Sequence, residues 1–187
     1  MKYIREKLAV SEYFYPYSKQ ANPVFEKYIM GLDRHSVELR PSSYHNLIQA
    51  DITKYQFYND IECKEVKQLI TWISSLISRD FIEGIALKDR FTIKCSEIWG
   101  VVYDKGNQII GHNHLPSLYN FVYYVNAPKG SSPIRFTTSG YESKAETGKL
   151  IIFNSSLYHC VPPNKCKGRI ILTGNFISAK DTGVWGI

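Results

Sequence analysis

His112 and His114 stand two residues apart in the stretch Gly111-His112-Asn113-His114, inside a segment whose residues otherwise read as β-strand. Side chains alternate across a strand with a period of two, so both imidazoles fall on one face. A third histidine, His159, follows the apolar run Leu150-Ile151-Ile152-Phe153, and ten residues on Arg169 opens another, Arg169-Ile170-Ile171-Leu172. Three of the five histidines therefore sit at strand ends. A neutral imidazole is the commonest protein ligand for Fe, Zn and Cu, so a His-x-His pair with one distant His makes a three-ligand set with coordination positions left open. Spacing alone weighs this evenly against surface or hydrogen-bonded histidines. The flanking residues have to decide.

Along the last apolar run Arg169, Ile171, Thr173 and Asn175 share one face, while Ile170, Leu172 and Phe176 share the other. If the first face points into a barrel, Arg169 is a buried cation, which is costly unless an anion meets it. No carboxylate precedes it nearby, so a bound carboxylate or phosphate is the economical partner, and the planar guanidinium fork suits a carboxylate. The competing reading is an outward arginine on a solvated edge.

The elements that must position these groups come from the hydrophobic periodicity. Residues 7–15 can pair as an early strand that stops at Pro16. Asn22-Pro23 resembles an N-cap followed by a first-position proline, and Val24, Phe25, Tyr28, Ile29 and Leu32 recur at helical spacing, which predicts a helix over 23–33. The signals between 34 and 58 are mixed and assign nothing, apart from an extended tendency at 46–50. Asn59-Asp60 can cap a second helix, whose stripe Val66, Leu69, Ile70, Ile73, Leu76, Ile77 and Phe81 is ordinary core packing against a sheet. Beyond it, strands are expected at 91–95, 97–103, 108–114, 119–125, 134–138, 149–153 and 169–177, separated by Gly, Pro, Asn and Asp turns. That pattern predicts a mainly β sandwich or barrel.

A length of 187 residues suits one domain with its own core, 1–187, with no linker between a helical N-terminal part (1–84) and the β core (85–178). The 44% hydrophobic and 21% charged content excludes a disordered or low-complexity chain. Net charge is +6 and the pI about 9.0, but the basic residues are scattered, with none of the runs interleaved with aromatics that mark a nucleic-acid track. Four cysteines (Cys63, Cys95, Cys160, Cys166) form no C-x-x-C or zinc spacing, so reduced thiols are expected. The first residues lack a signal-peptide core and no stretch approaches the ~20 apolar residues of a membrane span. A soluble cytoplasmic protein is the expectation, in the host cytoplasm if the chain is of phage origin.

An ordered set of short motifs then carries a family likeness. Tyr103-x-x-Gly106, His112-x-His114, Tyr123-Tyr124-Val125-x-x-Pro128, Gly148-x-Leu150-x-x-Phe153, His159-x-Val161-x-Pro163-Asn164 and Arg169-Ile170 together resemble the Fe(II)/2-oxoglutarate-dependent oxygenases over roughly residues 85–178. The likeness is to the small branch of marine bacteria and cyanophages related to prolyl hydroxylases. It implies a double-stranded β-helix, or jelly roll, with the metal at the open end between two sheets. His112 matches the first metal ligand, His159 the distal one and Arg169 the cation for the C5 carboxylate of 2-oxoglutarate. Tyr103 matches a tyrosine that bonds the same carboxylate, and Thr173 is a weaker candidate for that work.

One position departs from the superfamily pattern. Most members carry a carboxylate two residues after the first histidine, whereas this chain has His114. In the branch it resembles, His-x-His is usual, which makes His114 the expected third ligand and a second-sphere position the alternative. The implied activity is hydroxylation of a substrate C–H bond using Fe(II), 2-oxoglutarate and O2. A peptide or protein side chain is the favoured substrate, and nucleic acid the other. Two rival readings keep the fold: a three-histidine cupin-type dioxygenase in which Arg169 binds a substrate carboxylate, and a non-enzymatic jelly-roll binding module.

Overall fold

A computed structural model describes residues 9–36, 48–82 and 92–179. In chain order they form β1 (Val10–Phe14), α1 (Ser18–Gly31), β2 (Arg34–Ser36), β3 (Ile48–Gln49), β4 (Asp51–Thr53), β5 (Gln56–Phe57), α2 (Lys64–Ile77), β6 (Thr92–Tyr103) and β7 (Gln108–His112). There follow β8 (Tyr119–Asn126), β9 (Ile134–Phe136), β10 (Glu142–Ser143), β11 (Lys149–Asn154), β12 (His159–Val161) and β13 (Arg169–Ala179). From β6 onward the chain passes back and forth between two antiparallel sheets. The larger has the order β1-β11-β8-β13-β6-β4-β2 with β5 also on β6, and the smaller β10-β9-β12-β7-β3. Eight strands, β6 to β13, divided four and four between facing sheets, make the expected jelly roll.

β8 and β11 read as continuous apolar runs because both their faces are covered. Phe121, Tyr123, Leu150 and Ile152 point toward the helices, where Phe25 and Ile29 of α1 and Val66, Leu69 and Ile73 of α2 complete one core. Val122, Tyr124, Ile151 and Phe153 point the other way, onto Ile109, Ile134, Phe136 and Val161. The helix α1 can come this close because Gly100 lies beneath it: a Cβ there would stand 2.7 Å from Ile29 Cγ2.

The strand β6 changes phase partway. It pairs with β13 so that Asn175 faces Glu97 and Phe176 faces Cys95, leaving Ser96 opposite no residue. This bulge lets Cys95 join the helix-side core while Glu97, Trp99, Val101 and Tyr103 look between the sheets. The expected strands 91–95 and 97–103 are therefore one strand.

Other expectations need correction. The first helix starts at Ser18 and contains Pro23, because Asn22 accepts the Tyr123 hydroxyl at 2.6 Å instead of capping. The second starts at Lys64; Asn59 and Asp60 sit in a short 3-10 turn before it, separated from it by the buried Ile61. Its apolar stripe is buried as expected through Ile77, and Phe81 lies in a π turn beyond, half-buried. The N-terminal part is more than helical, since β1 covers the β11 edge and β4 and β5 cover β6. Residues 7, 8, 46, 47 and 91, also expected in extended segments, lie outside the described residues. All four cysteines are free thiols, and among the described residues no helix is long and apolar enough to cross a membrane.

Candidate metal centre and anion pocket

The smaller sheet brings the histidines together. His112 ends β7 and His159 begins β12, and the two are direct partners in the antiparallel pairing. The strand stops at His112, so His114 reaches the site from the following loop, where its backbone N–H donates to Ser155 O at 2.9 Å. Ring centroids lie 4.9 Å (His112–His114), 4.4 Å (His112–His159) and 5.2 Å (His114–His159) apart. One ligating nitrogen from each ring falls within 4.8 Å of the others, a spacing one metal ion can bridge.

Backbone carbonyls fix the tautomers of two rings. His112 Nδ1 lies 2.9 Å from Ile110 O, and His159 Nδ1 lies 2.9 Å from Leu157 O. A carbonyl can only accept, so each Nδ1 carries the proton and each Nε2 keeps its lone pair free, the usual second-sphere arrangement of a metal-bound histidine. Burial lowers the pKa of all three. It takes His114 and His159 to about 3, helped by repulsion from His112. Neutral rings at pH 7 are the form that can ligate.

Arg169 stands on the facing sheet, fully buried, opposite Tyr103. The guanidinium lies over the Tyr103 ring at 4.1 Å and the Tyr124 ring at 5.4 Å. Among the described residues, none of its three nitrogens has a hydrogen-bond partner, and neither do the buried Tyr103 and Tyr124 hydroxyls. Burial pushes Tyr103 up to about 12 against the pull of Arg169, and pushes Tyr124 up as well, so both hydroxyls are protonated donors. Five buried polar atoms gathered around these stacked rings, without partners among the described residues, amount to a cradle for an anion.

The three histidines, Arg169 and Tyr103 line one cavity of about 830 Å3, and the Tyr124 ring packs beside the guanidinium. Thr173 lines it too, but its hydroxyl donates to Phe121 O at 2.6 Å, which leaves it no proton for a carboxylate. Three lining or flanking residues had no role in the sequence reading. Tyr124 sits next to Tyr123 in the quoted motif, and strand alternation alone could have separated their faces. Trp99 stacks on His114 at 6.0 Å with Tyr55 against it at 4.7 Å. Among the described residues Glu97 carries the one carboxylate on the wall; alternation back from Tyr103 already puts it on that face, and the Ser96 bulge only turns Cys95 to the other.

No protein-family model and no curated protein sequence matches the chain. Solved structures do. The fold is similar to that of a prolyl-4-hydroxylase from Pseudomonas putida, with TM-score 0.64 and 20% identity over 92% of this chain and 94% of that one. It is similar to a 2OG-Fe(II) oxygenase family oxidoreductase from Burkholderia pseudomallei, with TM-score 0.68 and 8% identity over 92% and 88%. A Trichoplax adhaerens prolyl hydroxylase, solved with a hypoxia inducible factor peptide, gives TM-score 0.65 and 18% identity over 90% and 83%. At these identities the likeness fixes architecture, and the chain has the double-stranded β-helix fold that these oxygenases share.

Proposed function

We propose that this chain is an Fe(II)- and 2-oxoglutarate-dependent dioxygenase that hydroxylates a peptide or protein side chain. The observation that carries the reading is the fully buried Arg169 guanidinium, unpartnered among the described residues, in the same cavity as Tyr103 and three convergent neutral histidines, with the Tyr124 ring beside it. His112, His114 and His159 would hold the metal. Arg169 would take the far carboxylate of 2-oxoglutarate in its fork, with Tyr103 and Tyr124 donating to it; Thr173 contributes only packing. Bound iron and 2-oxoglutarate would together supply the activation of O2 and the insertion of oxygen into a C–H bond. The chain's own part is to keep the rings neutral and oriented, to hold the co-substrate by its distal end and to exclude water from an aromatic-walled pocket.

Kinship of fold with prolyl hydroxylases, one solved with a peptide, supports a peptide substrate. The free thiols are compatible with a reducing compartment such as the cytoplasm, and in this reading residues 1–187 act as one unit. The test is iron-dependent conversion of 2-oxoglutarate to succinate without any prime substrate. Arg169→Ala should raise the apparent KM for 2-oxoglutarate at least tenfold, a change of about 1.4 kcal/mol. An unchanged KM removes the anchor role. Metal binding without any 2-oxoglutarate turnover in the wild type would instead favour the three-histidine dioxygenase.

A further inference from the structure

Among the described residues two formal charges line the cavity, and they stand apart on its wall. Arg169 lies opposite Tyr103, and Glu97 lies opposite Asn175, six residues along both strands. At ~3.4 Å per residue this separates the two backbone positions by about 20 Å. The Arg169 position is fully buried and the Glu97 position only half-buried, so the anion cradle lies at the closed end and the carboxylate near the opening.

Glu97 is held in place. Its Oε1 accepts from Asn175 Nδ2 at 2.6 Å; the Asn175 side-chain oxygen accepts from Asn120, whose own oxygen accepts the Ser155 hydroxyl at 2.5 Å. Asn175, Asn120 and Ser155 are all buried, and Ser155 O in turn takes the His114 N–H. The chain of bonds fixes the carboxylate relative to the histidine loop. It uses only Oε1: among the described residues Oε2 has no hydrogen-bond partner, and Glu97 has no ion-pair partner. Trp99 stacks on His114 and Tyr55 packs on Trp99, an aromatic wall in the same cavity that can cover an aliphatic stem. Leu115 and Tyr158, 61% and 50% exposed, also line the cavity.

We infer that Glu97 is the specificity-determining residue for the prime substrate, and that this substrate carries a protonated amine or a guanidinium beside the carbon presented to the histidines. This deepens the oxygenase reading and rests on it for what the substrate undergoes, though not for the binding itself. A carboxylate fixed by a neutral amide, with one oxygen free in a partly desolvated cavity, has a strong preference for a charged hydrogen-bond donor. The anionic co-substrate would go to the opposite pole, so the two ligands sort by charge. The cation can come from a basic side chain of a peptide or from a free amino acid.

The test measures binding by titration of the zinc-loaded full chain, with 2-oxoglutarate present. The probes are blocked peptides of one sequence differing at a central residue (lysine, arginine, Nε-acetyl-lysine, citrulline), together with free lysine and free arginine. At least a tenfold tighter Kd is expected for the lysine or arginine peptide over its neutral counterpart. Tight binding of the free amino acid but not the peptide would assign the cation to a small molecule, with the subsite intact. Glu97→Gln keeps the bond from Asn175 and should bring the charged-to-neutral ratio close to one, whereas Glu97→Asp should retain part of it. Equal binding of charged and neutral probes by the wild type overturns the proposal. So does a Glu97→Gln variant that keeps the preference but binds metal more weakly, since Glu97 would then serve the metal's charge balance. The oxygenase reading fails separately: a wild type that prefers cationic probes yet never converts 2-oxoglutarate in the iron form keeps the subsite and loses the chemistry.

Discussion

Replacing Arg169 by methionine should make the ligand-free protein more stable, contrary to the usual effect of deleting a large buried side chain. The guanidinium is fully buried, without a hydrogen bond among the described residues. An unpaired buried ion costs several kcal/mol. Stacking over Tyr103 at 4.1 Å returns ~2 kcal/mol. Water entering the cavity lowers the cost further, so a net destabilisation of about 1–4 kcal/mol remains with the arginine. Methionine fills similar volume with no charge. For a chain of this size each kcal/mol moves Tm by about 2–4 °C, so the variant should unfold at least ~2 °C higher than wild type when both are free of ligand. Adding 2-oxoglutarate and a divalent metal should reverse the order. Saturation at a thousand times Kd stabilises the wild type by about 4.1 kcal/mol, and the variant, lacking the anchor, should gain only what the metal gives. Calorimetric scans of both proteins with and without ligands measure all four values. A methionine variant less stable than wild type in the ligand-free state, or one that keeps the full response to 2-oxoglutarate, would refute the reasoning that the site is built around an absent anion.

Three further outcomes follow from the same geometry. His112→Ala and His159→Ala should each abolish specific Fe(II) binding by calorimetry, while His114→Asp should tighten it; no change on His114→Asp would put that ring outside the first coordination sphere. In the metal-free protein the folded-state pKa of His114 and His159, about 3, lies below the ~6.5 of an unfolded histidine, so the unfolded chain binds more protons once the pH drops below about 6.5. Their contribution to stability is therefore complete above pH 6.5 and falls steadily as the pH goes from 6.5 to 3, which denaturant titrations across that range should record as a sloping ΔG that is flattened in His114→Gln. Gly100→Ala should destabilise the fold by ~1–3 kcal/mol, since the new methyl would meet Ile29 at 2.7 Å and α1 must lift from the sheet; equilibrium unfolding with an unchanged m-value checks it.

What could be read from the sequence was what short-range order determines. His112, His159 and Arg169 mark strand ends in their own local patterns, and the strands they belong to are where alternation and turn residues put them. The α2 stripe was legible for the same reason. The residues that complete the site were not, because each depends on a partner far along the chain. Tyr124 matters through Arg169, 45 positions away on the neighbouring strand, and Asn22 was misread as a cap because its acceptor role comes from Tyr123. His114 was placed on the strand by its spacing, yet the strand ends two residues earlier and a bond to Ser155 brings the ring in. Glu97 is the exception, since alternation back from Tyr103 puts it on the same face; what no periodicity announces is the Ser96 bulge that turns Cys95 away.

That bulge has a consequence for chain length. Losing one residue from the middle of a paired strand ordinarily carries everything on one side of the deletion to the opposite face, and so inverts inside and outside. In β6 the extra residue is already there: Cys95 and Glu97 oppose consecutive residues of β13, Phe176 and Asn175. Excising Ser96 would join them as neighbours in an ordinary ladder, with the thiol still under the helices and the carboxylate still in the cavity. The long central strand thus contains one position where a deletion preserves the pairing frame, flanked on both sides by positions where the same deletion would scramble it.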